Sequence, residues 1–554
     1  MKTKIVGFFK AWQAVYFLVL LFFHIQEVLM KLRNLAIALL LTVPLLSQTY
    51  TGSIGGRVTD ASGLIVPKVA VTVTETSTNA AWHTETNDAG DYLVSFLKPG
   101  AYSVRFSATG FKEFVASALE LQINQPLRVD ATMQLGQVTD RVEVSAAGDQ
   151  VNYTSPEIGH VVGEEQLINL PLQATTSRGR SPLLLSKILP GVTSTSANNS
   201  NINNFSFGGG RPVSNEILVD GLPTTNPSDQ TYTLTPSPDS VQEFKVITTP
   251  FSAEWGHTGG GVMILTTRSG GNDYHGSAYD LFRNRLLNAR NFFQPGSTTK
   301  YVQNDPGGTF SGPVLIPKLY NGKNKTFFFA DFNVTLSSQG SLYNQIVPTD
   351  LEKSGDFSQS LVNGQVQPIY DPATATKNAD GTYSRTQFPG NVIPANRIDA
   401  VAAQIVKFYP ASNGSFGGNN YSVHPPSIQQ VWQTITRLDH NFSDNDKAFF
   451  RFGRYNPNSD ASQNIPNQAN NTTSGGFRDT QAVISETHVF GPRVVNDLRA
   501  GFVQEVNYDI ASGGPAPQLG LGGVSLASFP IIGVQSMIQL GSSPDDRDRD
   551  RSWV

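Results

Sequence analysis

Apolar and polar side chains alternate along much of the second half of this chain. Across Thr326 to Val334, Phe328, Ala330, Phe332 and Val334 fall on one face, and Phe327, Phe329, Asp331 and Asn333 on the other. Lys447 to Tyr455 sets Ala448, Phe450 and Phe452 opposite Arg451 and Gly453. Asn496 to Gln504 sets Leu498, Ala500 and Phe502 opposite Arg499 and Gly501. A strand shows successive side chains to opposite faces, so a period of two predicts strands. Repeated at about ten residues per strand, it fits a sheet with lipid on one face and a polar interior on the other. A soluble sandwich can carry the same alternation strand by strand. Arg437 and Asp439 share one face of another such segment. That face is predicted to be the interior one, because a charge facing lipid costs about 2–4 kcal/mol near the midplane.

The first half predicts short strands and turns. Val69, Val71 and Val73 alternate with smaller or polar residues, and Ala101 to Phe106 alternates again. Thr86 to Tyr92 and Leu97 to Gly100 read as the intervening turns. Closely spaced strands of this kind over residues 51–135 predict a β-sandwich. Further on, Ile217 to Pro223 is an apolar strand broken by a turn at Asp220 and Gly221. Val262 to Thr267 is a β-rich run that follows Gly259, Gly260 and Gly261, where glycines allow close backbone approach and positive φ. Glu164 to Leu172 is expected to be extended just before Pro171. Arg180 to Leu189 reads as a short helix stopped by Pro190 and Gly191, and Asn198 to Asn204 as a polar loop.

Two apolar runs open the chain. Ile5 to Leu29 has the length of a membrane span but carries Lys10, His24 and Glu27. Met30 to Asn34 then precedes a run from Leu35 to Leu46, the charged and apolar regions of a signal peptide over 30–48. The expectation is that Met30 is the true start and residues 1–29 a doubtful extension; an inner-membrane anchor is the competing reading.

Composition narrows the classes. Charged residues are 15% of the 554, below the roughly 25% of soluble globular chains. A net charge of −4 gives no reason to propose nucleic acid. Cysteine is absent, which excludes disulfides, thiol chemistry and cysteine zinc sites. The eight histidines are scattered without zinc spacing, and no nucleophile elbow, phosphate loop or cofactor motif is found. No catalytic, cofactor or metal residues are assigned, and no enzyme activity is expected.

Three pieces carry a family resemblance. They are Ile217 to Pro223 with Asp220 and Gly221, Asp239 to Val246 with Glu243, and Glu254-Trp255-Gly256 followed by Gly259-Gly260-Gly261 and Val262 to Gly270. In this order they resemble the plug domain of a TonB-dependent outer-membrane receptor, over 150–267. Residues 51–135, with Gly56-Arg57-Val58-Thr59-Asp60 and Pro99-Gly100-Ala101-Tyr102-Ser103-Val104-Arg105-Phe106, resemble the carboxypeptidase regulatory-like domain, a carbohydrate-binding-like fold. That domain is an accessory module and does not make the chain a peptidase. Thr139, Asp140, Arg141, Val142, Glu143, Val144 and Ser145, in a linker over 137–149, resemble the TonB box; a last sandwich strand is the other reading. Residues 268–554 resemble the first part of the barrel, and the insertion from Ser354 to Asp399 resembles the extracellular loops of the Oar-like subgroup.

The resemblance implies a mainly β protein: a transthyretin- or Ig-like sandwich, an α+β plug, and a partial antiparallel transmembrane β-barrel. It implies outer-membrane uptake of an oligosaccharide, a peptide or a ferric chelate, with the sandwich leaning toward carbohydrate. The implied partners are TonB and its inner-membrane energising complex, outer-membrane lipid, the barrel assembly machinery and an unknown small substrate. A surface adhesion or signalling receptor without transport is the alternative. Barrels of this family have about twenty-two strands. From 270 to 554 only 285 residues follow the plug, and the charged run Asp545 to Arg551 does not read as a lipid-facing strand. The expectation is therefore a C-terminally incomplete chain.

Overall fold

The computed structural model describes residues 51–136, 141–145, 157–170, 179–194, 205–225, 233–234, 236–249, 255–256, 258–287, 289, 301–340, 342–362, 364–460, 462–491, 494–511, 515, 519–521, 529–542 and 551–553. The start-site and signal-peptide readings, Thr139, Asp140, Glu254 and the loop 198–204 lie outside these residues.

The first unit is the expected sandwich. Its strands are β1 (Gly52–Asp60), β2 (Ala70–Glu75), β3 (Ala81–Glu85), β4 (Asp91–Leu97), β5 (Gly100–Ser107), β6 (Glu113–Leu121), β7 (Pro126–Arg128), β8 (Ala131–Met133) and β9 (Arg141–Ser145). One sheet pairs β1 with β4, β7 and β8; the other runs β3-β2-β5-β6-β9. Val69, Val71, Val73, Val104 and Phe106 turn inward from the second sheet, and Ile54, Val58 and Leu97 meet them from the first. The alternation read along 69–73 is thus the buried face of β2 and the turn before it. The sandwich reaches beyond residue 135: Arg141–Ser145, placed in a linker by sequence, pairs in parallel with β6 from Glu113 to Ser117. The edge of β6 offers a row of backbone partners, and a short run with Val142 and Val144 takes it.

The plug has a five-stranded mixed sheet. Its strands are β10 (Ile158–Val162), β13 (Glu216–Val219), β14 (Leu222–Pro223), β15 (Val241–Thr249) and β16 (Val262–Thr267), in the order β10-β15-β16-β13-β14. A small hairpin of β11 (Val192–Ser194) and β12 (Phe205–Phe207) lies beside it. All six residues of β16 are buried, as a central strand requires. Helix α1 (Glu164–Asn169) was not foreseen; only Leu170, directly before Pro171, is extended as expected. Pro182–Ile188 is a 3-10 helix, tighter than the predicted helix, with Ser181 capping it through the Leu183 amide.

The barrel strands are β17 (His275–Asn284), β18 (Tyr301–Pro313), β19 (Thr326–Gly340), β20 (Pro426–Asn441), β21 (Asp446–Ser459), β22 (Thr473–Gly491) and β23 (Val494–Ala511). They form one antiparallel sheet in simple up-and-down order. The two faces divide as the alternation predicts. Phe327, Phe329, Asp331 and Asn333 are buried toward the plug, while Phe332 is 54% exposed on the outside. Phe450, Ile484, Leu498 and Phe502 share the outward, exposed face. Near the terminus, Arg551–Trp553 forms a short strand, β24, paired with Gln504 to Val506 of β23. Sequence did not suggest a strand there; the pairing is made by backbone groups and does not need an apolar face.

No described helix is long and apolar enough to cross a membrane, which says nothing of strands. The long connections on one side of the sheet share a core, in which Val347, Tyr409, Tyr421, Ile465, Leu519 and Phe529 are buried together. Within the 354–399 insertion, Arg397 grips Asp371 through two bonds of 2.9 and 2.7 Å. That pair and the Ala373 amide hold the Asp371 carboxyl below the usual range.

Candidate functional site

The site grows from one tight turn. Glu216 to Val219 are all buried, so β13 runs through the middle of the plug and must reverse inside it. It does so at Asp220 (φ 51°) and Gly221 (φ 76°), the double positive φ of a hairpin turn that Asp-Gly suits. The turn leaves the Asp220 carboxylate fully buried at the tip.

Four groups converge on that carboxylate. The Thr267 amide donates to Oδ1 at 2.9 Å and the Thr267 hydroxyl to Oδ2 at 2.7 Å, both from β16. Arg437 Nη1 donates to Oδ1 at 3.2 Å from β20, and Arg451 Nε lies 2.8 Å from Oδ2 on β21. Arg437 continues the chain of charge by forking onto Asp439 at 2.9 and 3.1 Å. Its guanidinium also lies over the Phe449 ring, 4.3 Å from the centroid. Arg451 Nη2 donates to the Val219 carbonyl at 3.3 Å. The Lys98 ammonium, from the sandwich, also reaches Asp439, at Oδ1. Buried charges must be paired and hydrogen-bonded, and these five groups supply that pairing across three domains. Further polar contacts join plug and sheet nearby: Gln481 donates to Thr233 at 3.0 Å and Ser237 to Asp331 at 2.9 Å.

The second plug motif faces the sandwich. Glu243 accepts the Ile123 amide, and Lys245 Nζ donates to the Asn124 carbonyl at 2.8 Å. Burial pushes the Glu243 carboxyl up to about 7, against the Ile123 amide and Lys245, which favour its charged form. Burial also lowers the Lys245 ammonium.

The third motif is packed rather than charged. Trp255 is buried with Ile264, Phe449 and Val483. A Cβ on Gly260 would sit 2.3 Å from Asn215 Oδ1, and one on Gly261 would sit 2.6 Å from the Ile247 carbonyl. Gly260 and Gly261 therefore serve close approach; none of Gly259, Gly260 and Gly261 has positive φ. Gly256 has open space around it, and a Cβ on Gly259 would make only an ordinary contact with Ser214 Cβ at 3.9 Å.

The TonB-box candidate lies apart from this network, with Arg141 to Ser145 on the far edge of the sandwich sheet and Glu143 and Val144 exposed. Sequence reading paired Arg437 with Asp439 on one face but did not single out Arg451, Lys98 or Ile123. An arginine at an inward position of a membrane strand was the available signal for Arg451, because it demands a counter-charge. Asp446, Glu486 and His488 also bring three metal-type donors within 4.8 Å. They sit on the outward face at the strand ends, where Asp446 already holds the His488 ring at 2.5 Å.

The outer membrane beta barrel domain family matches residues 266–553, just over half of the chain. The carboxypeptidase regulatory-like domain matches 53–134 and the TonB-dependent receptor plug domain 175–262. The TonB-dependent transporter Oar of Myxococcus xanthus is 31% identical over 294 residues, covering 51% of this chain and 26% of that protein. The chain thus spans about a quarter of the length of this relative. Among solved structures, the siderophore receptor PirA from Acinetobacter baumannii aligns at 13% identity and a TM-score of 0.36, covering 68% of this chain and 43% of the other. The outer membrane transporter YddB from Escherichia coli aligns at 10% identity and a TM-score of 0.41, covering 70% and 43%. With barrel, plug and regulatory-like domains each matched in order, this chain belongs to the TonB-dependent outer-membrane receptors.

Proposed function

We propose that this protein takes up a small nutrient across the outer membrane, with the plug as the movable stopper and TonB as the source of force. The observation that carries the reading is the polar seam around Asp220. Plug and sheet are joined there by ion pairs and side-chain hydrogen bonds. Water can replace such bonds when the plug moves, while the hydrophobic effect holds the neighbouring apolar cluster of Trp255, Ile264, Phe449 and Val483 together until force is applied. The substrate is an oligosaccharide, a peptide or a ferric chelate, met by the outer loops and the plug. Loops on a rigid scaffold are where such contacts belong.

The TonB contact is assigned to Thr139–Ser145. Among the described residues β9 is the last strand of its sandwich sheet, and adding a strand to a sheet end is a mode by which an extended partner is recognised. The test is accumulation of labelled ferric chelate, oligosaccharide and peptide by cells carrying the protein, before and after the proton gradient is collapsed. Gradient-dependent accumulation of one probe, lost in Val142→Pro at unchanged outer-membrane levels, is the expected result. Surface binding without accumulation would overturn transport; unchanged uptake in the proline variant would move the TonB contact elsewhere.

A further inference from the structure

We propose that the N-terminal sandwich is a lock on the plug: two of its turns hold plug strand β15 and the adjoining barrel strands in the closed arrangement, and the plug moves only after the sandwich undocks. The consequence for transport rests on the function proposed above; the docking itself does not.

The first turn joins β4 to β5. Its Lys98 ammonium meets Asp439, and its Pro99 carbonyl accepts Gln242 Nε2 at 3.0 Å. The second joins β6 to β7, and is set by a positive φ of 47° at Asn124. Ile123, at its tip, is fully buried and belongs to the cluster of Ile247, Trp255, Phe449 and Val483. A sandwich side chain thus completes an apolar core made by plug and barrel. Its own amide is taken by Glu243, and the next carbonyl by Lys245. Gln242, Glu243 and Lys245 of one plug strand are therefore all engaged by the sandwich.

The sandwich is also tied to the barrel. Lys447 lies over the Trp82 ring, 4.0 Å from its centroid, and donates to the Ala81 carbonyl at 3.3 Å. His83 lies 3.5 Å from Asp444. These contacts come from β3, at one end of the five-stranded sheet, whereas β9 is at the other. A pull applied at β9 would act across the whole sandwich on the contacts that pin the plug. Only residues 146–156 separate β9 from the first described plug residue, Glu157, so the two domains are held at high effective concentration and redocking is fast.

Lys98 is the residue that couples the parts, because Asp439 is shared between it and Arg437, and Arg437 is shared with Asp220. The test is hydrogen exchange of the whole chain in detergent, read at β15 and β16, with β19 as the control for the barrel sheet. Lys98→Met keeps the stem and removes the charge; Lys98→Arg keeps the charge; Ile123→Ser empties the apolar socket. Exchange reports the opening equilibrium of each segment. Lys98→Met and Ile123→Ser are expected to speed exchange in the plug strands about tenfold or more, since truncating one partner of a buried charged pair weakens it by at least that factor. Lys98→Arg should stay within about twofold of the parent, and β19 should stay protected throughout. Plug strands unchanged in both Lys98→Met and Ile123→Ser would overturn the lock. So would loss of β19 protection together with the plug, which would make the sandwich a brace for the entire fold. Because the measurement needs neither substrate nor TonB, a negative uptake assay would count against transport and leave the lock standing.

Discussion

Asp220 ties the plug to two strands of the barrel sheet. It lies at zero exposure, accepts from Thr267, and faces Arg437 and Arg451 on two different strands. Asp220→Asn is the informative substitution, since asparagine also tolerates the left-handed turn and only the charge is lost. Two buried guanidiniums would then lack that carboxylate. The expected loss is about 3–5 kcal/mol of stability, typical of breaking a buried pair, and denaturant midpoints would measure it. Glu243 makes a different prediction. Its folded carboxyl titrates near 7 against an ordinary 4.5. Between these values the folded state binds more protons than the unfolded one, so stability is full below about 4.5 and lost as pH rises through 7. Burial is the main cause; Ile123 and Lys245 oppose it and Glu120 adds to it. Urea midpoints should therefore fall from pH 5 to pH 8, and Glu243→Gln should flatten that slope. An equal slope in the variant would place the titration elsewhere.

At the scale of elements, glycines separate packing from permissiveness. Gly260 faces Asn215 Oδ1, where a Cβ has no room, whereas Gly256 has nothing within 4 Å. Gly260→Val should cost the plug about 1–3 kcal/mol by overpacking, and Gly256→Ala less than about 0.5 kcal/mol, in the same urea experiment. Those elements also mark what could be read in advance. The faces of β19, β21 and β23 were legible, because alternation over nine or more residues survives any local exception. The turn at Asp220-Gly221 was legible for the same local reason. Helix α1 was not: six residues are too few to establish a helical period. Pairing of β9 and β24 was equally hidden, since strand addition depends on which sheet edge is near and on backbone groups common to all sequences. Arg437 and Asp439 could be placed on one face by parity. Their partners could not, because Asp220 is 217 residues from Arg437, and Lys98 is 341 from Asp439.

At the scale of the whole molecule, three domains share one set of buried charges and one apolar socket. The sandwich supplies Lys98 and Ile123, the plug Asp220 and Glu243, and the barrel Arg437, Asp439 and Arg451. An arrangement that joins separate domains through polar contacts can hold them shut and still release them. That the plug must leave its place against the barrel strands for a substrate to pass is the central claim, and the chain is well suited to test it because it contains no cysteine. A Cβ on Gly501 of β23 would already touch the Leu222 side chain of the plug hairpin. Gly501→Cys with Leu222→Cys places two thiols across that contact, within reach of a disulfide. The decisive measurement is gradient-driven uptake by this double variant in oxidised and reduced cells. Uptake abolished by oxidation and restored by reductant is the expected result. Uptake that continues at the parent rate with the disulfide formed would contradict a moving plug.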